Sequence, residues 1–289
     1  MMINFCHIVP TKYLPIVQQY DVHLLLAHLI EEDETYRNFY INLKKKKPQV
    51  VYHLDNSAFE MFKRGHPMYN SEKLIQMGEL VGATSIVMSD YPKEHWSKTV
   101  ESAERLMSNL KSRKFKTFFC PQSELGDLEG LMRSFQWALQ TPSIDYIGIS
   151  ILSCPIALGV NETKYDDGSR DEAFRMQRYL SRYAIFKELN SRGLLSTRAY
   201  KRFHCLGMTE GPNEIELLSP FHKHIYSWDS SSAVWHGINN IQYDGSPTGL
   251  TKGKLDLEVD FNHVPTITID TMSKITYNMS VIDEMCRGE

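Results

Sequence analysis

Val50-Val51-Tyr52-His53-Leu54-Asp55 is a short, nearly unbroken apolar run, rich in β-branched and aromatic residues, that closes on a carboxylic acid. The same design returns at Ser85-Ile86-Val87-Met88-Ser89-Asp90 and at Ile225-Tyr226-Ser227-Trp228-Asp229. Val22–Leu29, Thr117–Cys120, Tyr146–Ile151 and Phe203–Met208 are further short runs of this kind. Near-continuous apolarity over so few residues is what a strand covered on both faces requires. Amphipathic stretches lie between them: Glu31–Lys47, Ser71–Leu80 with Ser71 as its cap, Lys93–Lys111, Ser123–Gln140, Asp171–Asn190 and the shorter Asn213–His222. The residues closing successive strand units, Asp55, Asp90, Gln122, Ser150, Met208 and Asp229, are separated by 35, 32, 28, 58 and 21 positions. Each gap holds about one strand–helix unit, and the long one marks an insertion after the fifth strand.

Seven such units in 289 residues predict an α/β fold of the closed (β/α)8 TIM type in preference to an open doubly wound sheet. The chain reads as a single domain over 1–289, with a barrel core of about 22–272 and an inserted stretch, 152–202, that carries a basic helix. Thr266–Asp270 is the first choice for the eighth strand, and Ile3–Val9 is the alternative, as strand or outer cap.

A chain that is 42% hydrophobic and 23% charged can bury a sizeable core, which excludes a disordered or fibrous protein. No apolar run approaches the ~20 residues of a membrane span, and Met1–Pro10 lacks the parts of a secretion signal. Both point to the cytoplasm. Lys and Arg total 32 against 35 Asp and Glu, a net charge of −3, so any polyanion contact has to come from a local patch. Cys6, Cys120, Cys154, Cys205 and Cys286 are widely spaced and form no CxxC pair, which predicts buried reduced thiols.

All strands of a parallel barrel point their carboxyl ends to one face, where catalytic groups gather. Asp55, Asp90 and Asp229 therefore converge on one mouth, unless each merely caps the helix that follows it. The stretch Lys164–Arg202 holds ten basic residues against five acidic ones. Within it Arg175, Arg178 and Arg182 share one helical face, so these three and Arg202 are the expected nucleic-acid contacts.

Leu54-Asp55-Asn56-Ser57-Ala58-Phe59-Glu60 resembles the DSGGFQ segment of the tRNA-guanine transglycosylases. In the same order, Met88-Ser89-Asp90 resembles their FDE, Cys120-Pro121-Gln122 their VQG and Tyr146-Ile147-Gly148-Ile149 their IGG strand. Leu206-Gly207-Met208 resembles MGVG, Tyr226-Ser227-Trp228-Asp229 the MFDC nucleophile strand, and Gly253–Leu257 the run that follows it. The tRNA enzymes carry a CxCxxC-plus-His zinc site after the nucleophile, and this chain has only Cys286 there. The pattern is thus most similar to the zinc-less branch that replaces guanine by a 7-deazaguanine in DNA, found in phage and bacterial modification systems.

The resemblance implies a base-exchange transglycosylase in which Asp229 attacks the anomeric carbon and Asp55 is the acid/base, with retention of configuration. It implies base contacts from Asp90, Gln122, Gly148, Ser57, Phe59, Gly207 and Met208. It further implies partners in DNA (or tRNA) with an extruded guanosine and in a free 7-deazaguanine base; members of that family often form a homodimer, and no residue pattern here decides the oligomeric state. Exchange of one glycosidic bond for another asks for no metal and no cofactor. The competing readings are the same exchange on tRNA, a metal-dependent hydrolase or lyase of a small molecule in which the three Asp hold the ion, and a non-enzymatic nucleic-acid binder.

Overall fold

Eight strands form one sheet: β1 (Asn4–His7), β2 (Val22–Leu26), β3 (Val51–Asp55), β4 (Ser85–Val87), β5 (Lys116–Phe119), β6 (Tyr146–Ser150), β7 (Arg202–Leu206) and β8 (Ile225–Ser230). Their order is β1-β8-β7-β6-β5-β4-β3-β2, and every ladder is parallel. β1 and β2, at the two ends of that order, come into contact and close the ring. The structure, a computed structural model, describes residues 2–110, 114–160, 171–195, 201–254 and 268–288. Its helices are α1 (Ala27–Glu32), α2 (Glu34–Lys46), α3 (Ala58–Arg64), α4 (Ser71–Val81), α5 (Trp96–Asn109), α6 (Leu128–Gln140), α7 (Ser153–Ala157), α8 (Glu172–Ser191), α9 (Glu214–Leu217), α10 (Ser232–Ile238) and α11 (Ile269–Arg287). This is the (β/α)8 barrel that the strand spacing predicts. Among the described residues no helix is long and apolar enough to cross a membrane.

Alternation along each strand divides the interior from the shell. On β3, Tyr52 and Leu54 join the large core beneath the helices, while His53 and Asp55 face the barrel axis. On β8, Trp228 is fully buried in the outer core, and Ser227 and Asp229 turn inward. The inside has a small apolar cluster of its own, Val87, Phe118 and Tyr146. Inward-facing positions two residues apart therefore stack in layers: Asp55, Ser150 and Asp229 at the carboxyl-end mouth, with His53, Gly148 and Ser227 beneath them.

Several sequence-based expectations are corrected. The eighth strand is Asn4–His7, paired with β8 through Asn4↔Ser227 and Cys6↔Asp229. Of Thr266–Asp270, residues 266–267 lie outside the described residues. Ile269 and Asp270 open α11, where Thr268 accepts from the Thr271 N–H at 3.1 Å. Burial of Ile275, Asn278, Met279, Ile282 and Cys286 gives that segment a helical period. α11 is bound to β1 by the Ile3 N–H to Cys286 carbonyl bond (3.0 Å) and by His7 Nε2 against Asp283 Oδ1 (2.9 Å). The barrel core thus reaches from Asn4 to Arg287, well beyond 22–272. The strand expected at Val22–Leu29 stops at Leu26, where α1 begins. Asn70, not Ser71, caps α4, its side chain accepting from the Lys73 N–H at 2.9 Å. The basic helix of the expected insertion is the barrel's own helix between β6 and β7, since Ile185, Phe186 and Leu189 pack into the main core. Among the described residues of that stretch, α7 is the element added to the strand–helix unit.

Candidate active site

The chain leaves β3 at Asp55 and turns into α3 through Ser57, whose φ of 56° lies in the left-handed region. A non-glycine residue holds that conformation only when its surroundings fix it. Here Ser57 Oγ accepts from the His28 N–H (3.2 Å) and bonds His28 Nδ1 (2.9 Å), while the Ser57 N–H donates to Asp55 Oδ2 (2.9 Å). Asn56 accepts from the Ala58 N–H (2.8 Å) and donates to the Met88 carbonyl (2.7 Å) and to Asp90 Oδ1 (2.7 Å). This asparagine, where the resembling motif has serine, fastens the end of β3 to the end of β4. Gln122 Nε2 donates to the other Asp90 oxygen. Asp90 is thus gripped on both oxygens by protein amides.

Asp229, at the end of β8, is held on one oxygen. Its Oδ1 lies 2.9 Å from His204 Nε2 and accepts from the Gly207 N–H at 3.2 Å. Among the described residues Oδ2 has no hydrogen-bond partner, so the carboxylate offers one free oxygen. The helix that follows is started by Ser230 Oγ, which accepts from the Ser232 N–H at 3.0 Å. Asp229 is therefore not spent as a cap.

Asp55, Asp90 and Asp229 line one cavity of about 850 Å³ at the carboxyl-end mouth, within the ~300–1,000 Å³ of small-ligand sites. Phe59, Gly207 and Met208 are also on its wall. Gln122 and Ser57 stand behind the wall, holding Asp90 and His28, and Gly148 lies one layer deeper, where a Cβ would meet Leu206 at 2.7 Å and Phe118 at 3.0 Å. Direct base contact by these three is thus corrected to a supporting position. Burial pushes the Asp55 carboxyl well above the ordinary carboxylate range, and the charges of Glu60, Asp229 and Asp90 push it further. Asp90 is raised by burial against the opposing bonds from Asn56 and Gln122, and Glu60, also on the wall, is raised chiefly by burial.

The expected basic face is corrected most. Arg182 is fully buried: Nη1 lies 3.4 Å from Glu214 Oε1, and Nη2 donates to the Leu206 and Gly207 carbonyls at 2.9 Å each. Its guanidinium also sits 4.8 Å from the Trp228 ring. Arg175 pairs with buried Glu210 at 3.2 Å. Arg202 is at the opposite end of the barrel, over the Tyr226 ring at 4.5 Å. Arg178 alone of the four borders the cavity, and the other basic residues there are Lys63, Arg64, Lys93 and Lys254. Arg182→Met is expected to cost about 3–5 kcal/mol by leaving Glu214 buried without its cation, read as a fall in the urea midpoint. The double variant Arg182→Met/Glu214→Gln should regain most of it.

His204 is the functional candidate that the sequence reading missed. Its signal was a histidine inside an otherwise apolar strand, paired in register with Ser227, two residues below Asp229. Among the described residues no group of three or more His, Cys, Asp and Glu side chains is placed to hold a metal ion.

No family model matches the chain and no curated protein matches it. Among solved structures it is similar to a mandelate racemase/muconate lactonizing enzyme from Roseiflexus sp., at 11% identity and a TM-score of 0.43, over 79% of this chain and 54% of that one. The chain thus spans about half the length of that enzyme. It is also similar to a protein from Aquifex aeolicus VF5 at 10% identity and a TM-score of 0.48, over 99% of this chain and 92% of that one.

Proposed function

We propose that the chain is a cytoplasmic base-exchange transglycosylase that replaces guanine by a 7-deazaguanine in a nucleic acid, DNA in preference to tRNA. The observation that carries the reading is the convergence of Asp55, Asp90 and Asp229 from three strand ends on one cavity, in three different states. One is pushed toward its protonated form, one is gripped on both oxygens, and one has a free oxygen. Carboxylates whose surroundings separate their roles are the mark of acid/base and nucleophile pairs.

In the first step Asp229 Oδ2 attacks the anomeric carbon of an extruded guanosine. The bond to guanine breaks, its electron pair leaves with the base, and protonated Asp55 supplies the proton the base takes up. In the second step Asp55 receives the proton of the incoming 7-deazaguanine. The ring nitrogen of that base attacks the same carbon and expels Asp229. Two inversions give retention. Asp90 and Phe59 both line the cavity; the reading assigns to Asp90 the N–H groups of the guanine edge and to Phe59, 37% exposed, a stacking face.

The test is to mix the protein with guanine-containing DNA or tRNA and look for a covalent adduct on a denaturing gel. An adduct with DNA supports the reading, an adduct with tRNA alone changes the substrate, and no adduct with either overturns it. Phosphates should be met by the exposed rim residues Lys63, Arg64 and Lys93. Replacing all three by Ala is expected to weaken DNA binding and to flatten the dependence of log K on log salt by roughly 0.9 for each phosphate no longer neutralised. Arg202→Ala, at the far end of the barrel, should leave that slope unchanged.

A further inference from the structure

Inside the barrel the same small unit occurs twice. His53 Nδ1 lies 2.6 Å from Ser85 Oγ, and His204 Nδ1 lies 2.7 Å from Ser227 Oγ. In each case a histidine of one strand meets a serine of the next, and both histidines are wholly buried. The two rings meet edge to face, 5.7 Å apart between centroids with their planes at 65°. The units differ at the other ring nitrogen. His53 Nε2 has no hydrogen-bond partner among the described residues, whereas His204 Nε2 reaches Asp229 Oδ1 at 2.9 Å.

From this geometry we infer that His204 is a positioning residue for Asp229, an inference that rests on the reading of Asp229 as nucleophile. A carboxylate only accepts, so Nε2 carries the hydrogen and donates it. The serine hydroxyl at Nδ1 fixes the ring against rotation. With the Gly207 N–H on the same oxygen, the donor pair turns Oδ1 inward and presents Oδ2 to the cavity. Ser227 is itself fully buried beneath Asp229 and is no nucleophile, although serine, histidine and aspartate form one hydrogen-bonded chain. The chain runs in the reverse sense to a serine hydrolase: the acid faces the substrate and the serine is the anchor.

Two near-isosteric variants separate orientation from packing. The amide nitrogen of His204→Gln falls where Nε2 was and can still donate to Asp229. That of His204→Asn falls near Nδ1 and cannot. The measurement is the single-turnover rate of adduct formation on guanine-containing DNA, with thermal melting of every variant. The expected result is a loss of roughly 10–100-fold in His204→Asn, as for misplacement of a reacting group by a fraction of an ångström to an ångström. His204→Gln should stay within about threefold of wild type, with substrate affinity unchanged in both. His53→Asn and His53→Gln, which alter an equally buried ring with no carboxylate, report the cost of packing alone and should leave the rate near wild type.

Equal rates in His204→Asn and His204→Gln, in a chain whose wild type forms the adduct, overturn the positioning role and leave the functional reading standing. A wild type that forms no adduct overturns the functional reading and, with it, the role assigned to His204. A nitrogen-15 spectrum of the imidazoles adds a readout that needs no substrate. Hydrogen on His204 Nε2 supports the inference, and a bare Nε2 overturns it even in an active enzyme.

Discussion

Asp229→Asn is expected to form no covalent adduct with guanine-containing DNA and to exchange no base, a loss of at least about 10⁴-fold, while melting close to wild type. The fold survives because the amide oxygen can accept from His204 Nε2 and the Gly207 N–H as the carboxylate Oδ1 does. That orientation is also what disables the variant. With the amide oxygen held by two donors, the amide nitrogen takes the place of Oδ2, and a neutral NH₂ group neither attacks the anomeric carbon nor leaves from it. Nothing in the core has to move, since the apolar neighbour Trp228 points to the other side of the strand. The checks are the denaturing gel and incorporation of labelled guanine. Exchange at the wild-type rate would remove Asp229 from the role of nucleophile.

The parts of this molecule that could be read from its residues are those fixed by local pattern. Strands such as Val51–Asp55 and Ser85–Val87 are covered on both faces, so their apolarity is continuous and their carboxyl-end acids stand out. Thr266–Asp270 copies that pattern, with alternating β-branched residues ending on an acid, and thereby concealed Asn4–His7. What distinguishes the two is tertiary: α11 covers β1 and β1 pairs with β8. Arg182 shows the same limit for charge. Its spacing from Arg175 and Arg178 places it on a helix, but only the fold brings Glu214 and two carbonyls to it. An arginine with a buried acid partner and one facing a phosphate look alike in sequence. His204 was hidden for a related reason, because inward and outward positions of a strand buried on both sides are equally apolar around it. Asn56 departs from the motif that it resembles, and its purpose becomes visible only in the bonds it makes to Met88 and Asp90.

Asp55→Asn should slow adduct formation by about 10²–10⁴-fold, the usual worth of a placed general acid, and should also remove the alkaline limb of the pH–rate profile. Burial, followed by the charges of Glu60, Asp229 and Asp90, raises the Asp55 carboxyl well above its ordinary range. The departing guanine needs the proton that this group carries, so the wild-type rate of adduct formation falls as pH rises through the raised value. Asparagine has no such proton at any pH, and what rate remains should be flat across that window. Glu60 is raised too and borders the same cavity, so Glu60→Gln is the necessary control. If the limb persists in Asp55→Asn and disappears in Glu60→Gln, the acid is Glu60. Stability should move in the opposite direction to activity. A carboxyl whose value is higher folded than unfolded contributes stability below its unfolded value, and that contribution is lost as pH rises through the folded one. Above that raised value, wild type therefore holds a carboxylate crowded by others, whereas asparagine keeps the bond from the Ser57 N–H without the charge. Its melting temperature should be higher by about 2–4 °C there, with the gain vanishing in acid, where Asp55 is protonated in both states. A gain of equal size at every pH would trace the stabilisation to packing and detach it from the charge on which the acid role depends.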